Sequence, residues 1–205
     1  MASELFFIYD THCPWSYVAT PLVKAIQQAF PEITINLWHS AYFSATDESQ
    51  ATKNQLNEIT RLTDVNFSDA YIAKLGTKKN STLSANLMTW ASNKTASQAL
   101  ALLTALQREH FEQGNELTTK DDVIGIVNQL KLSPPAKIFK EDKLNNDVLM
   151  QIEEIFELQE IIQTEAIPAL LLAIDNELIL LNHSLYLQEP QEIVEAVKVE
   201  LNKYT

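Results

Sequence analysis

Leu5-Phe6-Phe7-Ile8-Tyr9-Asp10-Thr11-His12-Cys13-Pro14-Trp15-Ser16-Tyr17 is the stretch on which the fold turns. Residues 4–9 are a short aromatic and β-branched run that reads as a buried strand, and Thr11-His12-Cys13-Pro14 punctuates it. From Pro14 onward Val18, Leu22, Ala25 or Ile26, and Ala29 recur at helical spacing, so a helix is expected to follow as far as Phe30. The strand-to-helix junction therefore falls at Cys13, the only cysteine among 205 residues. Unpaired amide N–H groups and the helix dipole at such a junction favour thiolate, the reactive form of the side chain. Position 13 is the first candidate for chemistry, against the plainer reading of a small buried hydrophobe.

Working outward, Pro14 falls near the first helical position, where its missing N–H costs nothing. Pro21 lies inside the pattern and removes a hydrogen bond, which predicts a kink. Pro31 stops the helix, and Ile33-Thr34-Ile35-Asn36-Leu37-Trp38 alternates as a half-buried strand does. The first forty or so residues are thus β-α-β, with the linked strands expected parallel. Between Ser44 and Glu165 apolar residues recur at three- and four-residue steps, predicting helices near 48–62, 67–75, 84–93, 96–113, 119–130 and 145–164. In the 96–113 segment Leu100, Leu103, Leu106 and His110 mark one stripe, and Gly114 is placed as its stop. Strand signals return over 168–174 and 177–181, and Asp175-Asn176 between them predicts a hairpin. Pro190 opens a last helix whose Ile193, Val194, Val197 and Leu201 share a face.

Composition excludes several functions. Subtracting 27 acidic from 15 basic residues leaves a net charge of −12, which argues against nucleic acid or an anionic membrane as partner. The glycines stand only at 76, 114 and 125, so no Gly-rich phosphate loop is available for a nucleotide cofactor. One cysteine forms no intrachain disulfide, and the N-terminus has no basic segment followed by a long apolar one. A reducing cytoplasm is the expected compartment. Cys13, His12, His39, His110 and His183 show no zinc-ligand spacing, so no metal is expected. No nucleophile-elbow glycines point to a Ser–His–Asp hydrolase.

The order β-α-β, a helical stretch, then β-β-α, with Cys13-Pro14-Trp15-Ser16 at the first helix N-terminus, resembles the DsbA-like thioredoxin-fold family. Pro21 matches that family's helix-kinking proline. Ala166-Ile167-Pro168-Ala169 resembles its cis-proline segment, and residues 101–117 resemble the "ALxxAxFxxGxxL" helix of its cytoplasmic members. Those include the FrnE-like proteins, the 2-hydroxychromene-2-carboxylate isomerases and the kappa-class glutathione transferases. The resemblance implies an α/β thioredoxin-like fold with a large all-helical insertion. Residues 1–43 and 166–205 would form the thioredoxin-like domain and 44–165 the insertion.

The resemblance also assigns roles. DsbA-type oxidants carry a second cysteine where this chain has Ser16, so a dithiol cycle is closed to the monomer. A monothiol Cys-Pro-Trp-Ser motif suits glutathione as co-substrate: Cys13 attacks, a mixed disulfide forms, and external glutathione resolves it. The kappa-class transferases and chromene isomerases carry a Ser-Pro-Tyr-Ser type motif instead. A glutathione-dependent transferase or isomerase is the alternative on that branch, and a non-catalytic binding protein retaining the fold is the third. Cys13 and Ser16 are the expected catalytic pair. His12, Pro14, Trp15, Ile167, Pro168, Asn182 and Ser184 are the expected substrate-binding residues, with Ile167–Pro168 cis and facing the cysteine. Kappa-like relatives also bring the expectation of a homodimer.

Overall fold

A computed structural model describes residues 3–45, 51–133 and 135–204. The first strand, β1 (Ser3–Tyr9), leads into α1 (Pro14–Ala29) and returns as β2 (Thr34–His39). Helices α2 (Tyr42–Ala45), α3 (Lys53–Leu62), α4 (Asp69–Ile72), α5 (Thr82–Lys94), α6 (Ala96–Gln113), α7 (Lys120–Gln129) and α8 (Asn146–Ile162) then follow. The chain closes with β3 (Ala169–Ile174), β4 (Glu177–Leu181) and α9 (Ile193–Asn202). Positions 48–50, the start of the helix expected over 48–62, lie outside the described residues.

The sheet order is β2-β1-β3-β4, with β1 and β2 parallel as expected and the other two pairings antiparallel. Alternation along β1 explains its central place, since side chains of period two bury both faces of an inner strand. Leu5, Phe7 and Tyr9 join the main core with α1, α6 and α9, while Phe6 and Ile8 join a second cluster with Trp38, Ile155 and Leu171. Strand β3 repeats the pattern, Leu170, Leu172 and Ile174 on one side and Ala169 and Leu171 on the other. The main core also contains Leu87, Leu103, Val123 and Val127, so the helical stretch and the sheet share one apolar interior.

Helix α1 continues through Pro21, and the hydroxyl of Thr20 donates to the Ser16 carbonyl at 2.9 Å one turn before the break in the ladder. The segment expected as a helix over 67–75 is helical only over Asp69–Ile72. Lys74 and Leu75 bond three residues back, to the carbonyls of Tyr71 and Ile72, which tightens the chain into turns. Likewise the last helix begins at Ile193, and Pro190–Glu192 form a separate 3₁₀ turn. Gly114 does end α6, at φ 70°, and a Cβ there would lie 2.7 Å from Ala70 Cβ. That approach seats the α6 terminus directly against α4. The hairpin forms at Asp175-Asn176, with Ile174 opposite Glu177.

Candidate active site

Cys13 is the N-cap of α1, at φ −82° and ψ 119°, with Pro14 in the first turn. Its N–H donates to the Asp10 carbonyl at 3.1 Å and its carbonyl accepts from Tyr17 N–H at 3.0 Å, so the loop is a tight turn feeding the helix. The side chain is buried. Burial pushes the thiol up, the hydroxyl and N–H of Ser16 pull it down, Asp10 adds to the rise and the N–H of Trp15 opposes it. The net direction is upward, which corrects the thiolate expected from the helix terminus alone: desolvating the anion outweighs the donors around it.

Ser16 is fully buried one turn along, and its Oγ also accepts from Asp10 N–H at 3.3 Å. Asp10 itself is the hub of the loop. Its carboxylate accepts from His12 N–H at 2.8 Å, Phe43 N–H at 3.1 Å and Ser81 Oγ at 2.7 Å. Burial alone would raise this carboxyl, but nearby His39 and the contacts with His12 hold it well below the usual carboxylate range. His39 is pushed down to about 4 by burial, against the pull of Asp10. Ala41 N–H donates to its Nδ1 at 3.0 Å and Thr11 N–H to its Nε2 at 3.1 Å, with Thr11 Oγ1 3.0 Å from that same nitrogen.

His12 turns inward. Its Nε2 donates to the Glu116 carbonyl at 3.0 Å, tying the loop to the chain after α6, and its Nδ1 lies 3.7 Å from Asp10 Oδ1 without a hydrogen bond. The His12 ring meets the ring of His110 edge-on at 4.4 Å. His110 donates from Nδ1 to the Asn115 carbonyl at 2.6 Å, and its buried Nε2 has no hydrogen-bond partner among the described residues. Burial, reinforced by His12, holds His110 well below the usual histidine range. Tyr71 stands edge-on to His110 at 5.1 Å, with its hydroxyl also buried and without a partner among the described residues. Nothing in the sequence pattern marked Tyr71 as part of the site. Only the placement of His110 on the buried stripe of α6 hinted at the inner wall.

On the far side the Ile167–Pro168 bond is cis, as the family resemblance implied. Ala169 pairs with Ile8, so Pro168 sits at the end of β1 that runs into the Cys13 loop. Pro168 and Asn182 line one cleft of about 320 Å³ together with Thr164, Leu181 and His183. Ser184 lies outside that lining, exposed, with its Oγ donating to Asn182 Oδ1 at 2.7 Å. Trp15 and Ile167 are half-buried, and Pro14 is buried with the first turn of α1. Among the described residues no group of three His, Cys, Asp or Glu side chains is arranged to hold a metal ion, and no helix is long and apolar enough to cross a membrane.

Comparison with known proteins places this geometry. No curated protein matches the sequence. Among solved structures, the cytosolic disulfide reductase DsbM from Pseudomonas aeruginosa is similar with a TM-score of 0.82, at 19% identity over 97% of this chain and 98% of that one. The structure of DsbM with GSH gives a TM-score of 0.79 at 17% identity, covering 97% and 99% of the two chains. A periplasmic thioredoxin-like protein from Salmonella enterica serovar Typhimurium gives 0.53 at 17% identity, covering 97% and 83%. At these identities the likeness is one of fold. The family model of the DSBA-like thioredoxin domain matches residues 4–158, with the Cys13 loop inside the matched span. The chain belongs to the DSBA-like thioredoxin domain family.

Proposed function

We propose that this protein is a glutathione-dependent, monothiol thiol-disulfide oxidoreductase working in a reducing cytoplasm. The observation that carries the reading is Cys13 as N-cap of α1 with Ser16 one turn on, where a dithiol enzyme would hold its resolving thiol. The Cys13 thiolate attacks the glutathionyl sulfur of a mixed disulfide RS–SG. The S–S bond breaks, RS⁻ leaves and takes up a proton, and Cys13–S–SG forms. The thiolate of a glutathione molecule then attacks the Cys13–S–SG bond, which releases oxidised glutathione and restores the Cys13 thiolate. The net change is RSSG + GSH → RSH + GSSG, so no second protein thiol is needed. A thiol raised by burial is scarce as thiolate at neutral pH but intrinsically more nucleophilic, which suits a slow, selective exchange.

In this reading the backbone of Ile167 beside cis-Pro168 pairs with the extended glutathione, Asn182 and Ser184 receive its γ-glutamyl end, and Trp15 covers it. The fold likeness to a disulfide reductase with a GSH-bound structure supports glutathione as the partner. The hydrogen bond from Ser16 at the sulfur position favours a second reading, in which glutathione stays noncovalent and its own thiol is activated for transfer or isomerisation. One experiment separates them. Incubation with oxidised glutathione and intact-mass measurement should show a single glutathionyl adduct that Cys13→Ala abolishes. Binding of glutathione with no adduct at any pH would reject the redox reading in favour of the second.

A further inference from the structure

The wall of the site built by the helical stretch holds a hydrogen-bond donor that no other described residue uses. Tyr71 is 1% exposed, and its Oη has no partner among the described residues. A buried hydroxyl left unpaired is costly, so its presence calls for an acceptor that arrives during function.

Two chains of ring contact link the Tyr71 ring to residues flanking Cys13. Through one, Tyr71 meets His110 at 5.1 Å and His110 meets His12, the neighbour of Cys13, at 4.4 Å. Through the other, Tyr71 lies edge-on to Phe111 at 4.9 Å, and Phe111 stacks at 4.7 Å on Tyr17. Tyr17 stands four residues after Cys13, on the same face of α1. Tyr71 is thus one intervening ring away from both His12 and Tyr17. Burial, with charge on the Cys13 sulfur adding to it, keeps Tyr71 protonated far above neutral pH. A phenol that stays protonated remains a donor.

We propose that Tyr71 Oη–H donates a hydrogen bond to the Cys13 sulfur when that sulfur is an anion, making Tyr71 a positioning residue of the insertion that stabilises the thiolate. The inference rests on Cys13 being the reactive thiol. It also answers the upward push of burial on that thiol: Ser16 supplies donors from α1, and Tyr71 adds one from α4. Of the other titratable groups nearby, Asp10 opposes the anion, the imidazoles of His12 and His110 meet each other edge-on, and the Lys79 ammonium lies 5.7 Å above the Tyr71 ring. None of them supplies an unpaired neutral donor.

Tyr71→Phe removes the hydroxyl alone and leaves the ring among Phe67, His110 and Phe111. Because that hydroxyl has no partner in the resting protein, the variant should melt at the same temperature or slightly higher. The Cys13 pKa, followed by iodoacetamide alkylation and by thiolate absorbance against pH, should rise by about one unit, with about tenfold slower alkylation at neutral pH. Tyr71→Leu, which lacks the donor as well, should show the same rise. An unchanged alkylation profile in Tyr71→Phe, with the parent protein reacting normally, overturns the role of Tyr71 and leaves the reading of Cys13 standing. A parent protein whose Cys13 resists alkylation across the whole pH range overturns both.

Discussion

The two flanks of Cys13 are built on opposite principles. On the flank formed by the β1–α1 loop, the central polar groups are engaged: Asp10 accepts three hydrogen bonds and His39 is held through both ring nitrogens, with His12 Nδ1 the atom left over in the loop. On the flank formed by α4 and α6, buried polar atoms are left over, namely Tyr71 Oη, His110 Nε2 and both side-chain polar atoms of Gln107. A saturated network fixes geometry, whereas orphaned groups cost stability unless something else completes them. The loop flank therefore holds the cysteine in place, and the helical flank is the side prepared to meet a developing charge.

That contrast is broken most severely at Asp10. Asp10→Ala strips the partner from two backbone N–H groups and the Ser81 hydroxyl in a dry environment, and we expect about 3 kcal/mol of lost stability, measured by denaturant unfolding. A loss under about 1 kcal/mol would mean the loop is not the rigid flank.

Acid should expose the same network next. His39 is lowered to about 4 in the folded protein, from 6.5 when unfolded, so the unfolded chain binds the proton first and stability falls as pH drops from 6.5 towards 4. Asp10 acts in the same sense lower down. Its depressed carboxyl contributes stability above its unfolded value, near 3.8, and that contribution is lost as pH falls further. Melting temperatures should decline steadily below pH 6.5, and His39→Gln should flatten the upper part of that decline. A parent protein as stable at pH 4 as at pH 7 would contradict the arrangement.

The smallest effect is expected on the opposite flank, at Gln107. Its side-chain amide is buried without partners, so Gln107→Leu exchanges an orphan for an apolar group of similar size and should change stability by less than about 1 kcal/mol in either direction. A loss comparable to that of Asp10→Ala would show that the amide is satisfied in solution, and the two flanks would then be alike.

Much of the architecture was legible along the chain because it depends on local periodicity. The alternation in β1, the stripe Leu100, Leu103, Leu106 and His110, the stop at Gly114 and the turn at Asp175-Asn176 all follow from which residues fit a pleat, a helix face or a positive φ. Helix 67–75 was overread, since nothing local announces that Lys74 and Leu75 bond three residues back instead of four. At the site, the junction at Cys13 and the serine after it were visible as a motif, and the cis bond at Pro168 as a family feature. The state of the thiol was not. Its upward push comes from burial, which the motif does not announce.

The sequence by itself determined that one cysteine stands at the start of a helix with Ser16 in place of a resolving thiol, because composition and order need no third dimension. Only the tertiary structure decided what surrounds that sulfur. Asp10 gathers donors from residues 12, 43 and 81, and the rings of residues 12, 71 and 110 meet across the insertion. Electrostatics and hydrogen bonding act over a few ångströms of space, and the chain brings those ångströms together only when it folds.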